Sequence, residues 1–205
     1  MLIASTLEGA LKFSFSAPIG LLWSTCINQC LTDINLFINS SVLTTTVAGE
    51  VTDPDGKKTP GSGSGIGIIV TNPGVVATAK TVLTTTFLNP STVWATVGGD
   101  VANQIDLIIK SATATTVVTG GLTGAGVGAV GCVDTSPGLA IFTAKLLAVF
   151  ATPGLGWNSI TTESSVTKEL SIAVYDLLTS CIVTTQDTGV VPPVIWVGTG
   201  TGALT

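Results

Sequence analysis

Apolar and polar positions follow two different periods along this chain. From Thr25 to Asn39 the residues Ile27, Leu31, Ile34 and Ile38 recur at helical spacing, with Leu36 and Phe37 widening the stripe, which predicts a short helix packed on a sheet. From Ser41 the period changes. Val42 to Val51 reads as a strand, Asp53-Pro54-Asp55-Gly56 as a turn, and Gly61-Ser62-Gly63-Ser64-Gly65 as a flexible tip before Ile66 to Thr71, together a long hairpin with a mobile end.

Proline-glycine pairs at Pro73-Gly74, Pro137-Gly138 and Pro153-Gly154 suit type II turns, because proline fixes one φ and glycine accepts the positive one. Between and after them the pattern predicts strands at Val75 to Phe87, Thr92 to Val97, Gln104 to Ile109, Ala112 to Thr119, Val127 to Val133, Leu139 to Phe150, Ile172 to Leu178, Ile182 to Thr185 and Val190 to Val197. Leu139 to Phe150 also permits a helix, as does Glu163 to Leu178. Many short β segments with Pro/Gly punctuation predict a mainly β fold: a β-sandwich of jelly-roll type with one or two short helices, in a single β-rich structural domain over 1–205. The tail Gly198 to Thr205 reads as an ordered arm or a frayed end.

Two phrases recur. TNPGVVATAK at Thr71 to Lys80 echoes TSPGLAIFTAK at Thr135 to Lys145, and VLTTT stands at Val42 to Thr46 and again at Val82 to Thr86. Such echoes would report two related β halves, although a threonine-heavy composition produces them readily.

Composition changes the picture more than any motif does. Only 9% of residues are charged, against roughly 25% in soluble domains, so hydroxyls, backbone, small apolar groups or another subunit must cover most of the surface. The chain holds seven lysines, no arginine and no histidine, at a net charge of -5. That leaves no basic groove for a nucleic-acid backbone, so direct nucleic-acid binding is not expected. The first residues do not read as a secretory signal, because Glu8 precedes Lys12 and Pro18 with Gly20 interrupts the apolar stretch. The uncharged run Ser111 to Val133 reaches transmembrane length, with Gly120, Gly124 and Gly128 at small-xxx-small spacing, but glycine and threonine favour two strands around a turn. Cys26, Cys30, Cys132 and Cys181 read as free thiols, since no histidine completes a mixed zinc site.

No catalytic constellation stands out. Asp53 with Asp55, or Asp100 with Asp106, could pair as glycosidase carboxylates but read better as turn and strand-edge acids. Ser164 and Ser165 lack a lysine at Ser-x-x-Lys spacing, Lys168 notwithstanding, and no glycine run meets a phosphate-loop pattern. Asp53, Asp55 and Gly56 lack the full oxygen-ligand series of a calcium loop. Trp23, Trp94, Trp157 and Trp196 are too widely spaced for a sugar platform, and the pairs Thr44/Thr46, Thr84/Thr86 and Thr113/Thr115 have no solenoid repeat to align them. No cofactor is expected, and no enzyme activity.

These readings point to a structural self-assembling subunit, with a viral capsid or virion shell protein the most concrete form and the virion its location. An extracellular carbohydrate-binding or adhesive β-sandwich is the alternative, and a membrane-contacting or pore-forming protein the third. The expected partners are copies of the chain and other structural proteins, with lipid contact compatible. Val191, Val194, Ile195 and Trp196, in the C-terminal apolar segment, are the candidate interface residues.

Overall fold

The computed structural model describes residues 2–15, 23–89, 93–152, 165–191 and 194–205. The chain opens with α1 (Ala4–Phe15) and α2 (Trp23–Asn39), followed by the hairpin β1 (Val42–Thr52) and β2 (Lys58–Val70), then α3 (Pro73–Leu88). Next come α4 (Trp94–Lys110), β3 (Thr113–Gly120), β4 (Gly124–Gly128), the two-residue β5 (Val133–Asp134) and α5 (Ser136–Ala151). The last elements are α6 (Val166–Ser180), β6 (Ile182–Val191) and β7 (Val194–Leu204).

The strands lie in the order β4-β3-β2-β1-β7-β6-β5, and β4 also pairs with β6. That last pairing closes six strands into an antiparallel barrel with β5 as an extra strand beside it. With 51% helix and 34% strand among the described residues, the fold is a mixed α/β barrel, which overturns the expected β-sandwich or jelly roll.

Several predicted strands are helices, for a local reason. Pro73 and Pro137 sit in the first turns of α3 and α5, where a missing N–H costs nothing, instead of forming type II turns. Asn72 caps α3 by accepting from the Gly74 N–H at 2.9 Å, and Asp134 accepts from the Ser136 N–H at 2.9 Å at the start of α5. Threonines inside α3 donate back to carbonyls four residues earlier, Thr78 to Gly74 and Thr85 to Thr81, both at 3.0 Å, which satisfies their hydroxyls without a strand partner. The segments Thr92 to Val97 and Gln104 to Ile109 both fall on α4, apart from Val93, which precedes the helix as its N-cap, and Thr92, which lies outside the described residues; the buried Val97, Val101, Ile105, Ile108 and Ile109 of α4 keep helical spacing. Leu139 to Phe150 and Ile172 to Leu178 are helical in α5 and α6. The Pro153-Gly154 pair, Trp157 and Glu163-Ser164 lie outside the described residues.

The expected helix at Thr25 to Asn39 is α2, with Ile27, Leu31, Ile34, Phe37 and Ile38 buried but Leu36 exposed. The glycine-serine stretch from Gly61 to Gly65 is no flexible tip: it runs inside β2. Likewise the tail from Gly198 is neither arm nor frayed end, because β7 lies between β1 and β6 in the barrel. Ser111 to Val133 spans β3 and β4, and among the described residues no helix is long and apolar enough to cross a membrane.

The architecture repeats three times. α2 and α3 flank the first hairpin and pack together, α4 and α5 do so around β3-β4, and α6 packs with α1 beside β6-β7. The echo between Thr71 to Lys80 and Thr135 to Lys145 marks the starts of α3 and α5, equivalent positions in two of three units. Each helix leading into a hairpin ends on a serine whose hydroxyl donates to the carbonyl three residues back, Ser40 to Phe37, Ser111 to Ile108 and Ser180 to Leu177, all at 2.7 Å. The VLTTT phrase has no such meaning, being a strand in β1 and helical in α3.

The strand register repeats with the units. Thr45 faces Gly65, Thr116 faces Gly126, and Thr185 faces Gly200. One layer further from the helices Val47 faces Gly63, Val118 faces Gly124, and Asp187 faces Gly198. In these two layers side chains enter the barrel from β1, β3 and β6 while β2, β4 and β7 contribute glycine. A barrel of about eight strands is just wide enough for side chains to fill, so six strands leave room for them from alternate strands only. The helices and the near end of the barrel share the main apolar core, including Leu11, Leu31, Ile38, Leu43, Ile69, Ile105, Leu146 and Leu177.

Candidate interaction surface and the polar barrel core

Outward-facing positions on the barrel are uncharged almost throughout. Glu50 and Lys58 are the only charged residues that its six strands turn outward, and they pair with each other at 2.7 Å. That hydrogen bond and the glutamate charge hold the Lys58 ammonium above its ordinary pKa. Around them stands a wall of β-branched residues. Ile66 lies opposite Val117, and Ile68, Thr115 and Val127 line up across β2, β3 and β4. Ile66, Ile68, Val70, Val117 and Val127 are all more than half exposed. Patches of this kind on a folded chain mark contact surfaces more often than bare solvent faces.

A groove of about 580 Å³ lies on the other half of the barrel exterior, where β1, β7 and β6 meet, between the Glu50–Lys58 pair and the side chains of Gln186, Ile195 and Val197. It holds one carboxylate and one ammonium already neutralising each other, without a nucleophile-base pair.

The four residues singled out in the C-terminal segment separate across the wall. Ile195 points outward at 63% exposure, Val194 is half-buried and pairs with Val191, and Trp196 is fully buried inside the barrel end with Val47, Val118 and Leu122. The Trp196 indole N–H donates to the Thr123 carbonyl at 3.1 Å. Sequence reasoning treated the segment as one apolar run, whereas strand alternation sends Ile195 and Trp196 to opposite faces.

Beneath the wall is a polar heart that the sequence did not announce. Asp187 is fully buried and takes the layer that Val47 and Val118 occupy in the other hairpins. Thr116 donates to Asp187 Oδ1 at 3.2 Å, and Thr185 lies 2.9 Å from Oδ2. Thr45, the third residue of this threonine layer, is 5% exposed and its hydroxyl has no partner among the described residues. Thr184-Thr185-Gln186-Asp187 is polar at every position, so no hydropathic alternation in the sequence marks Thr185 and Asp187 as inward-facing.

No family model, curated protein or solved structure matches this chain.

The remaining candidate residues have structural employment. Asp53 accepts from the Asp55 and Lys57 backbone N–H groups at 3.1 and 2.7 Å, which makes it a turn acid. Asp106 is buried in α4, pairs with Lys110 at 2.8 Å and accepts from Thr135 at 2.5 Å, while Asp100 lies exposed on the same helix. Asp134 is held below the usual carboxylate range by the Ser136 hydroxyl and N–H, helped by Lys110. Among the described residues no three of His, Cys, Asp and Glu gather to hold a metal. Ser165 caps α6 by accepting from the Lys168 N–H at 3.3 Å. Thr44/Thr46 and Thr113/Thr115 lie on strands, Thr44, Thr46 and Thr115 exposed and Thr113 partly so, whereas Thr84/Thr86 lie in α3, so no array forms. Trp94 is half-exposed beside the Phe87 ring, and Trp23 begins α2.

All four cysteines are free thiols, with Cys30 and Cys181 buried. Burial pushes the Cys181 thiol up to about 12, assisted by the Asp106 and Asp134 charges, and burial raises Cys30 as well. Both thiols keep their protons in the folded state at pH values where the unfolded chain loses them. Stability is therefore fully present below about pH 8.5, the ordinary thiol pKa, and falls as pH rises toward the folded values. Urea melts between pH 8 and 11 are expected to lose stability by up to about 1.4 kcal/mol per pH unit for each buried thiol. Cys181→Ala should remove roughly half of that slope; an unchanged slope would show that these thiols are not sealed.

Proposed function

We propose that this chain is a non-enzymatic packing module whose barrel wall mates with further copies of itself. The observation that carries the reading is the contrast on the barrel exterior: five exposed Ile and Val side chains contiguous over β2, β3 and β4, and one self-neutralised ion pair on all six strands. A wall without net charge neither steers nor repels a like surface, so shape and apolar burial decide the partner. The Ile, Val and Thr side chains of this face are all β-branched, so their rotamers are restricted before contact, which lowers the entropic cost of docking.

The folded architecture removes the more specific assignments. A mixed α/β barrel is neither a jelly-roll capsid protein nor a carbohydrate-binding sandwich, so virion placement has no support. A helical membrane-spanning or pore-forming role likewise lacks a long apolar helix among the described residues.

Light scattering on the wild-type chain from about 1 to 100 μM, a range that spans ordinary interface affinities, is the experiment. Association of the wild type and a monomer for Val117→Lys are expected, because a lysine at the centre of a dry contact weakens it by about 100-fold or more. A wild-type chain that stays monomeric over the whole range would end the proposal.

A further inference from the structure

We propose that the barrel core is a binding site for one alkali-metal cation, held by the Asp187 carboxylate with the hydroxyl oxygens of Thr45 and Thr185. Asp187 is fully buried, and none of the ion pairs among the described residues includes it. An ionised carboxylate taken out of water needs a countercharge as well as hydrogen-bond donors. The donors are present in Thr116 and Thr185; the countercharge is not supplied by a side chain.

The second observation is Thr45. Its hydroxyl is buried, without a partner among the described residues, and close to the carboxylate. A methyl group built on Gly200 would stand 2.7 Å from Asp187 Oδ2 and 3.3 Å from Thr45 Oγ1, and would overlap Thr185 Oγ1. Three oxygens from β1 and β6 therefore converge over one glycine of β7. Thr185 points its hydrogen at the carboxylate and keeps lone pairs free, and Thr45 has its own two lone pairs to offer. Oxygen lone pairs around a single negative charge are what a hard monovalent cation takes. A calcium ion asks for six to eight oxygens with several carboxylates, and this core has one carboxylate.

The site is also sealed. Trp196 and Leu122 fill one end of the barrel and the apolar core fills the other, so a cation would enter as the hairpins close and would exchange slowly afterwards. The test must therefore begin from the unfolded chain. The full-length protein is unfolded in urea, refolded in choline chloride, sodium chloride or potassium chloride at equal ionic strength, and melted in each.

At about 100 mM salt, one of the two alkali chlorides is expected to raise Tm by at least about 5 °C over choline. Asp187→Asn should lose that difference, and Thr45→Val, which leaves the carboxylate in place, should reduce it. Equal melting in all three salts would overturn the proposal and leave a water molecule or a proton in the cation's place. An alkali-specific rise that persists undiminished in Thr45→Val and in Asp187→Asn would equally overturn it, by placing the ion elsewhere. Val117→Lys on the outer wall should leave the alkali effect intact, so the core and the contact surface are tested separately.

Discussion

Gly126→Ala is expected to destabilise the fold by about 3 kcal/mol or more, at the upper end of overpacking costs. The added methyl would overlap both Asp187 Oδ1 and Thr116 Oγ1 and stand 2.7 Å from Asp187 Cγ. Neither neighbour can swing aside, because Thr116 and Asp187 are short, buried and bonded to each other. The backbone cannot move outward either without breaking pairs to β3 and to β6, one of which closes the barrel. Gly9→Ala is the control. Gly9 lies in α1 with nothing near its missing Cβ, so alanine there should stabilise by about 0.5–1 kcal/mol through helix propensity. Urea denaturation of both variants decides the matter. A Gly126→Ala protein within about 0.5 kcal/mol of wild type, the ordinary range of surface substitutions, would mean that the barrel interior is not filled as described.

Trp196→Ala is the second large effect, about 3–5 kcal/mol by the usual cost of emptying a buried aromatic site. The indole seals the far end of the barrel, touching the layer of Val47, Val118 and Leu122. A Cβ on Gly189 would come within 2.6 Å of indole Cε2, so the ring lies directly on the β6 backbone. Its loss would also leave the Thr123 carbonyl without its donor, adding to the cavity term. Ile195→Ala, one residue earlier on the outer face, should cost less than about 0.5 kcal/mol in dilute solution, where the wall is unpartnered. Thermal melts of the two variants at low concentration should differ widely; similar losses would place Trp196 outside the core.

What could be read from the chain depended on how far each signal reached. The helix at Thr25 to Asn39 was legible because its buried positions, from Ile27 to Ile38, hold one period over about three turns. The first hairpin was legible because Asp53 to Gly56 carries turn chemistry that acts within a few residues. α3 and α5 were obscured by the same β-branched residues that fill the strands, and the decisive features were small: an Asn just before Pro73-Gly74, an Asp three residues before Pro137-Gly138, and burial at Val76, Ala79 and Leu83. VLTTT shows the limit most clearly, since its five residues adopt whichever backbone their neighbours impose. The glycines misled in the opposite direction. Gly61, Gly63 and Gly65 look like a loop until the width of a six-stranded barrel is known, and that width depends on the β4–β6 pairing, about sixty residues apart in sequence.

The candidate site was less accessible still. Asp187 is an unremarkable acid between Gln186 and Thr188, and its burial follows from closure of the barrel around it. The outer wall was foreshadowed by low charge, but composition could not say which face would carry it.

The threefold register has a historical reading as well as a mechanical one. Three unlinked helix-hairpin-helix peptides could assemble this same barrel, each supplying one side-chain strand and one glycine strand, and every copy would then be bound to carry the same residue in each layer. Joining the copies in one polypeptide releases them to diverge. Val47 and Val118 keep the common solution, and the acid in the third hairpin is a substitution that no symmetric ancestor could have tried one copy at a time.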